Sequence, residues 1–257
     1  MSMENKEYIE GIYNYCDRWC EKCRFTANCL LYTQESKIKT YEILNKGDIS
    51  GIEEVFDKEI DRLENETEED DKSFEGKLGK DYFEEEYEND EDVFDPEDKD
   101  ILRESPRYPV NDLLDEFFIK SHTLIKTLNS KYNFNADSKE QLSDLSGKKS
   151  FDDFEIFVWY HTLIGTKIKR ALFSLNDVNN EDDEEIREIS AGDMNGSAKV
   201  GIISIKRTID ALNNLHKILP VFSAEIEELF VLLGKILNLV DELFPDCMKF
   251  KRPGFDV

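Results

Sequence analysis

Residues 151–175 read FDDFEIFVWYHTLIGTKIKRALFSL, and the spacing of their apolar side chains decides the fold. Apolar residues recur every three or four positions, which places them along one face of a helix. Ser150 with Asp153 resembles a helix-capping pair, so we expect the helix to begin near Ser150. The pattern predicts a helix over about 150–175, with a buried stripe made of Phe154, Val158, His161, Ile164, Ile168 and Leu172.

Three further segments have the same helical spacing. Pro220 is expected to end one of them, and Ser223 to act as the N-cap of the next. Helices that are apolar on one face only must bury those faces against one another. The sequence therefore predicts an all-α protein built on an antiparallel four-helix bundle. Besides the first helix, the bundle would use about 110–132 after Pro109, about 195–219, and the stretch from Ser223 to Pro245.

The first hundred residues have a different character. Residues 61–100 hold 20 Asp and Glu against 5 Lys and Arg. Such like charges repel, and too little apolar surface is present to offset the entropy of ordering. We expect short helices over 5–15, 36–46 and 50–64, followed by a disordered acidic linker. The predicted domains are a cysteine-rich metal-binding module at 1–64, the linker at 65–105 and the bundle at 106–257.

The net charge of −25 bears on partners and location. A phosphate backbone is recognised by Lys and Arg that displace counterions, so an acidic chain is disfavoured for nucleic-acid binding, and a protein partner is expected instead. No apolar run reaches the roughly eighteen residues of a membrane span, and MSMENKEY lacks the features of a signal peptide. These features predict a cytoplasmic protein without membrane association. Nothing in the sequence fixes the oligomeric state.

Four of the five cysteines lie close together in CDRWCEKCRFTANC, residues 16–29. In a reducing compartment such a cluster favours metal ligation over disulfides. Four thiolates within so short a span suit either one tetrahedral Zn²⁺ or one iron–sulfur cluster. Cys247 stands apart and is expected to be a buried thiol. The predicted metal ligands are Cys16, Cys20, Cys23 and Cys29.

The run Cys20-x2-Cys23-x5-Cys29, with Phe25 inside it, resembles the cluster loop of endonuclease-III-type DNA glycosylases and is similar to cluster loops of some nucleases. The resemblance implies a [4Fe–4S] cluster held by these three cysteines, with Cys16 as the fourth ligand. It covers about fourteen residues, and its first gap is shorter than in the glycosylases. No helix-hairpin-helix glycine signature or nuclease core accompanies it, so the resemblance does not extend to DNA processing.

The first three cysteines also have the spacing of the radical-SAM family. That family places an aromatic residue immediately before its third cysteine, where this chain has Lys22. It also needs a β/α barrel, which the helical pattern does not predict. A radical-SAM enzyme is therefore disfavoured.

His161 lies on the predicted inward face of its helix. A buried imidazole needs hydrogen-bond partners, so it is either a core histidine satisfied by a facing helix or part of a cofactor site with Tyr160. Gly165, one turn later, would leave space for a ligand or for a close helix contact. Arg207 and Asp210 are expected on a solvated helix face, where their spacing would allow an ordinary pair. His122, His216 and Asp193 are predicted at surface or boundary positions.

The sequence contains no catalytic motif and does not favour an enzyme. The expected function is that of a helical [4Fe–4S] protein with a structural, electron-transfer or interaction role. The alternatives are an oxidoreductase with a cofactor near His161, an adaptor built on structural Zn²⁺, and a component of nucleic-acid processing.

Overall fold

The computed structural model describes residues 8–46, 107–132 and 148–256. By its internal contacts the chain divides into two units, Met1–Cys29 with Ser105–Val257, and Leu30–Glu104. The predicted boundary at residue 64 differs from this division, because the cysteine segment belongs to the same unit as the bundle. The predicted helix over 50–64 and the predicted linker over 65–105 lie outside the described residues.

In the second unit, the described residues form helix α1, Leu30–Leu44. It overlaps the predicted helix over 36–46 but begins earlier. None of its residues is buried, and Ile43 and Leu44 are largely exposed. We therefore assign no core to this helix.

The first unit contains the bundle, whose helices are α2 (Pro109–Tyr132), α3 (Lys148–Asn180), α4 (Glu184–Ile218) and α5 (Ser223–Leu243). Each helix packs against the next along the chain, and α5 returns to pack against α2. Across the described ranges the secondary structure is helical with no strand, which confirms the predicted all-α class. None of these helices combines the length and apolar character that a membrane crossing requires.

Side-chain contacts between neighbouring helices show that they run antiparallel. As the residue number along α3 rises, the number of the residue that it contacts on α2 or on α4 falls. Residues near the end of α3 contact the beginning of each partner, and residues near its middle or start contact later positions. The contacts are Lys169 with Asp115, His161 with Phe118, Arg170 with Asp193, and Asp153 with Asn214.

The core is formed by the apolar faces that the helical spacing predicts. On α3, Phe154, Ile164, Ile168 and Leu172 are buried, whereas Val158 is only partly buried. The other helices contribute in the same way, since apolar side chains at helical spacing can only leave water by facing one another. Their buried members include Leu114, Phe117, Leu128, Ile202, Ile205, Leu212, Ile226, Leu233, Ile236 and Val240.

Helix α4 begins well before the predicted position near 195. The Asp183 carboxylate accepts hydrogen bonds from the backbone N–H groups of Glu185 and Ile186, and so caps the helix. Glu184 and Glu185 in the first turn also favour this end of the helix dipole. The acidic stretch 177–192 is therefore helical except at residues 181–183.

The other predicted helix ends have mixed outcomes. Pro220 and Pro245 lie just beyond the ends of α4 and α5, as predicted. The two predicted serine caps are wrong. Ser150 lies inside α3, which begins at Lys148, and Ser223 is the first helical residue of α5 rather than its N-cap. Residues 10–15 form turns instead of the predicted helix.

Helices α3 and α4 approach each other closely at Gly201. A methyl group at this position would lie 2.8 Å from Ile168 Cγ1, well inside van der Waals contact. Gly165, which the sequence suggested as a place for close helix contact, has no neighbouring atom within 4 Å of such a methyl group. The close contact thus depends on the glycine of α4, and not on the glycine of α3.

We expect Gly201→Ala to lower the free energy of unfolding by about 1–3 kcal/mol, because the added methyl group must displace a buried isoleucine. Gly234→Ala is the matched control, since a methyl group there meets no atom within 4 Å. Its better helix propensity should leave stability unchanged or raise it by up to about 1 kcal/mol. Urea unfolding of both variants measures the difference, and equal stabilities would contradict the close approach.

Candidate functional site

The segment that carries the four cysteines has little regular structure. Its base is closed by a hydrogen bond from the Ile9 N–H to the Asn28 carbonyl, 3.0 Å long. Two short 3₁₀ turns, Cys20–Lys22 and Thr26–Asn28, lie within it. Arg18 has a φ of 58°, in the left-handed region that non-glycine residues rarely occupy. The segment is therefore a compact loop whose path is fixed by side-chain contacts.

Two of the cysteine sulfurs have a backbone donor in the same relation. Cys16 Sγ accepts from the Arg18 N–H, and Cys23 Sγ accepts from the Phe25 N–H, each at 3.4 Å. All four cysteines are partly buried, and none is in a disulfide. Burial raises the pKa of Cys16, and the Arg18 N–H partly opposes this effect.

The structure does not assemble a ready metal site from these side chains. Across residues 8–46, 107–132 and 148–256, no group of three or more His, Cys, Asp or Glu side chains is placed to hold a metal ion. The prediction that Cys16, Cys20, Cys23 and Cys29 are metal ligands stays a prediction.

Asp17 anchors the loop to the bundle. Its carboxylate accepts hydrogen bonds from the Tyr160 hydroxyl and the Arg207 guanidinium, both at 2.6 Å. Its carbonyl accepts from Trp159 Nε1 at 2.9 Å. Burial, together with the bond to Asp17, raises the pKa of Tyr160 far above its ordinary value, so this residue stays a hydroxyl donor. Arg207 therefore pairs with the loop rather than with Asp210, the partner that the helical spacing would have allowed.

A second contact surrounds Trp19. Its indole stacks on that of Trp159, with ring centroids 5.2 Å apart and planes 13° from parallel. Lys22 Nζ lies 4.1 Å from the Trp19 ring centroid and forms an ion pair with Glu155 at 2.9 Å. These contacts pack a partly buried aromatic residue of the loop against α3.

Lys167 of α3 forms a hydrogen bond to the backbone just before the cysteine loop. Its side chain is 6% exposed, and its Nζ donates to the Asn14 carbonyl at 3.0 Å. Burial lowers the pKa of Lys167, while the neighbouring Cys16 opposes the effect. The carbonyl of Asn14 lies in a turn without a helical partner, so the ammonium group supplies the hydrogen bond that the backbone lacks.

Residues 250–256 cover the other side of the loop. The Phe255 ring meets Phe25 edge-on, with centroids 5.0 Å apart, and Phe250 meets Tyr15 in the same way at 4.7 Å. Gly254 has a φ of 74° and lies against Ile9, so a side chain there would be strained. The cysteine loop is thus held between the bundle and this tail.

Asp256 fixes the tail. Arg252 binds its carboxylate with two N–H groups, at 2.9 and 3.0 Å, and the buried Lys199 on α4 reaches it at 2.7 Å. Lys199 also donates to the carbonyls of Phe250, at 2.6 Å, and Met248, at 3.3 Å. The hydrogen bonds from Arg252, with that from Lys199, hold the pKa of Asp256 well below its ordinary range.

A pocket of about 600 Å³ opens beside the loop. The loop contributes Cys23 to its wall, the bundle contributes Tyr160 and Arg207, and the tail contributes Arg252 and Phe255. Its volume is typical of sites for small organic molecules. The cavity is formed where the three parts of this unit meet.

His161 and Tyr160 have different surroundings although they are adjacent in sequence. Tyr160 faces Asp17 and the pocket, whereas the His161 ring stacks near Phe118 and His122 of α2, with centroids 5.8 and 5.9 Å away. His161 Nδ1 lies 2.5 Å from the Val158 carbonyl. Burial lowers the pKa of His161, which favours the neutral ring. A shared cofactor site at this pair stays a prediction, and only Tyr160 lines the pocket described above.

Sequence reasoning missed several residues that shape the site. Asp17 was visible only as a polar neighbour of a cysteine, and neither Lys167 nor Lys199 was predicted to contact the loop or the tail. Asp193, expected at the surface, is hydrogen bonded by Arg170 and Ser174 of α3. A lysine inside an apolar stripe was the one available signal, because it places an ammonium group on a face that must be buried.

The chain matches no protein-family model, no curated protein and no solved structure. Its function therefore has to be argued from the chemistry of the loop and the pocket.

We expect Asp17→Ala to destabilise the protein by about 1–3 kcal/mol, because the Tyr160 hydroxyl loses its acceptor and Arg207 loses its ion pair. Trp19 and Trp159 are the two tryptophans of the chain, so emission reports directly on this contact. Their emission should move to longer wavelength under native conditions as the loop loosens. Asp182→Ala, at an exposed position between α3 and α4, serves as the control. An unchanged emission maximum in Asp17→Ala would contradict the anchor.

The tail should loosen in acid. The pKa of Asp256 in the folded protein is below its unfolded value of about 3.9, so its contribution to stability is complete well above about pH 4. That contribution is lost as the pH falls toward the folded-state pKa. We expect Asp256→Asn to be less stable at pH 7 and to lose less stability between about pH 5 and pH 3 than the unchanged protein.

Urea unfolding at several pH values measures this effect. Asp246→Asn is the matched control, because Asp246 forms only an exposed pair with Lys249 in the same region. An exposed pair contributes little. If Asp256→Asn and Asp246→Asn had the same pH dependence, the buried ion pairs would not hold the tail.

Proposed function

We propose that Cys16, Cys20, Cys23 and Cys29 bind one [4Fe–4S] cluster, and that the protein is a cluster-binding helical protein with an electron-transfer or structural role. One observation carries this proposal. Four partly buried thiols, none in a disulfide, lie within one short loop, and two of their sulfurs already accept backbone N–H groups. Hydrogen bonds to ligand sulfurs are among the levers by which proteins tune such clusters.

The surroundings of the loop also suit a metal centre. A cluster held by four thiolates carries negative charge, which burial would penalise without compensation. The buried ammonium group of Lys167 lies next to Cys16, and Arg18 donates its N–H to the same sulfur. Both groups offset the charge that ligation would concentrate there. Because the chain as a whole is acidic, with a net charge of −25, cations beside these sulfurs are a distinctive feature of the loop.

The loop's own residues would keep its geometry. Asp17, which follows Cys16, is hydrogen bonded to the bundle, and Trp19, which precedes Cys20, stacks on the bundle. Phe25, two residues after Cys23, packs on the tail. When bound, the cluster would supply one-electron chemistry or a rigid cross-link. With four cysteine ligands no iron is left open for a substrate, which favours these roles over catalysis.

Anaerobic purification tests the proposal. We expect a brown protein with broad absorption near about 400 nm and roughly four iron and four sulfide per chain. Cys20→Ser should abolish the colour and the iron, because it removes one ligand. Cys247→Ser is the matched control, since Cys247 is buried beyond α5 and outside the loop, and it should keep both.

Zinc is the main competing ligand, because the same four thiolates suit either centre. A colourless anaerobic protein with one zinc per chain, lost in Cys20→Ser but not in Cys247→Ser, would replace the cluster by a structural zinc site. A protein with neither metal after anaerobic purification and reconstitution with iron and sulfide would overturn the proposal.

A further inference from the structure

We propose that the pocket beside the cysteine loop binds a mononucleotide-sized organic anion that also carries an amino group. The inference goes beyond metal binding, because the wall of the pocket is mostly made of side chains other than cysteine. The argument starts from the size of the pocket. About 600 Å³ is far more than an inorganic ion needs and lies in the range of small-molecule sites.

Charge distinguishes this pocket from the rest of the protein. The chain has 58 Asp and Glu against 33 Lys and Arg. The pocket reverses that ratio, since Lys22, Arg24, Arg207 and Arg252 outnumber its three aspartates. An anion can therefore be held at this cavity only by a basic side chain that has no acidic partner of its own.

Most of these charges already have protein partners. Arg207 is paired with Asp17, Arg252 with Asp256, and Lys22 with Glu155. Arg24 and Asp210 form no ion pair among the described residues, and both are exposed in the pocket wall. Arg24 lies over the Phe25 ring, 4.6 Å from its centroid, and this contact orients the guanidinium group.

Asp153 also lines the pocket, but it is buried and accepts a hydrogen bond from Asn214. Arg24 and Asp210 are therefore the two charged groups left for a ligand. The Arg24 guanidinium can donate two hydrogen bonds to a phosphate or carboxylate. The Asp210 carboxylate accepts hydrogen bonds only, so it calls for an amino or ammonium group. Apolar lining from Ile156, Ala211 and Phe255 suits the body of an organic molecule between them.

Calorimetric titration of the anaerobically purified full chain tests this assignment with three probes. Adenosine monophosphate has both groups, adenosine lacks the anion, and inosine monophosphate lacks the amino group. We expect saturable binding of adenosine monophosphate, and about five- to tenfold weaker binding of each of the other two, the effect of losing one charge-assisted hydrogen bond at a partly exposed site.

Two variants connect each ligand group to its residue. Arg24→Gln should weaken binding of adenosine monophosphate about five- to tenfold and leave adenosine unchanged. Asp210→Asn should weaken binding of adenosine monophosphate more than that of inosine monophosphate, which has only its ring N1–H to donate to the carboxylate. Lys206→Gln is the control, because Lys206 is exposed on α4 but does not line the pocket. It removes the same charge and should have no effect.

Three outcomes would overturn the inference. These are no saturable binding of adenosine monophosphate, equal binding of adenosine monophosphate and adenosine, or equal losses in Arg24→Gln and Lys206→Gln. Metal content is measured on the same samples. Binding of adenosine monophosphate by a protein that stays metal-free after reconstitution with iron and sulfide would refute the cluster and support the pocket, whereas a loaded protein without binding would do the reverse.

Discussion

The Asp17 carboxylate is the contact on which the arrangement of this unit depends. It joins Tyr160, 143 positions later in the sequence, and Arg207, 190 positions later, to one point of the cysteine loop. Two donors on two helices therefore share one acceptor. Arg207 also donates to the Tyr160 hydroxyl, so the three side chains form one hydrogen-bonded group and docking of the loop is coupled to packing of α3 against α4. Because Cys16 directly precedes Asp17, this contact also fixes where Cys16 lies.

The same physical problem is solved twice by buried lysines. A loop without regular structure leaves carbonyl oxygens that no helix or sheet satisfies, and burying them without a donor is costly. Lys167 reaches a carbonyl of the N-terminal loop, and Lys199 reaches two carbonyls near the C-terminal tail. Each lysine stands on a helix of the bundle, so the rigid part of the protein provides the donors that the irregular parts need.

The bundle could be predicted from the sequence because its helices follow a single rule. An apolar stripe such as that of Ile164, Ile168 and Leu172 must be buried, and four such stripes have one simple arrangement. The helix ends were less predictable. Asp183 caps α4, but several other acidic residues lie beside it in the sequence, and any of them could have been the cap. Spacing alone indicates periodicity, whereas a cap depends on the geometry of one side chain.

The site was harder to predict than the fold. The cysteines could be singled out by their spacing, but the partners of Asp17 and Asp256 lie on distant parts of the chain. Arg207 looked like half of a local helix pair because Asp210 is its nearest acidic neighbour in sequence. Its actual partner depends on how the loop returns to the bundle, and no local pattern encodes that path.

The position of residues 250–256 has a consequence for how the protein is made. The cysteine loop packs on Phe250 and Phe255, which are synthesised more than two hundred residues after it. Until those residues emerge from the ribosome, the loop has only part of its final surroundings. Its docking between the bundle and the tail therefore cannot take place while the loop itself is being translated.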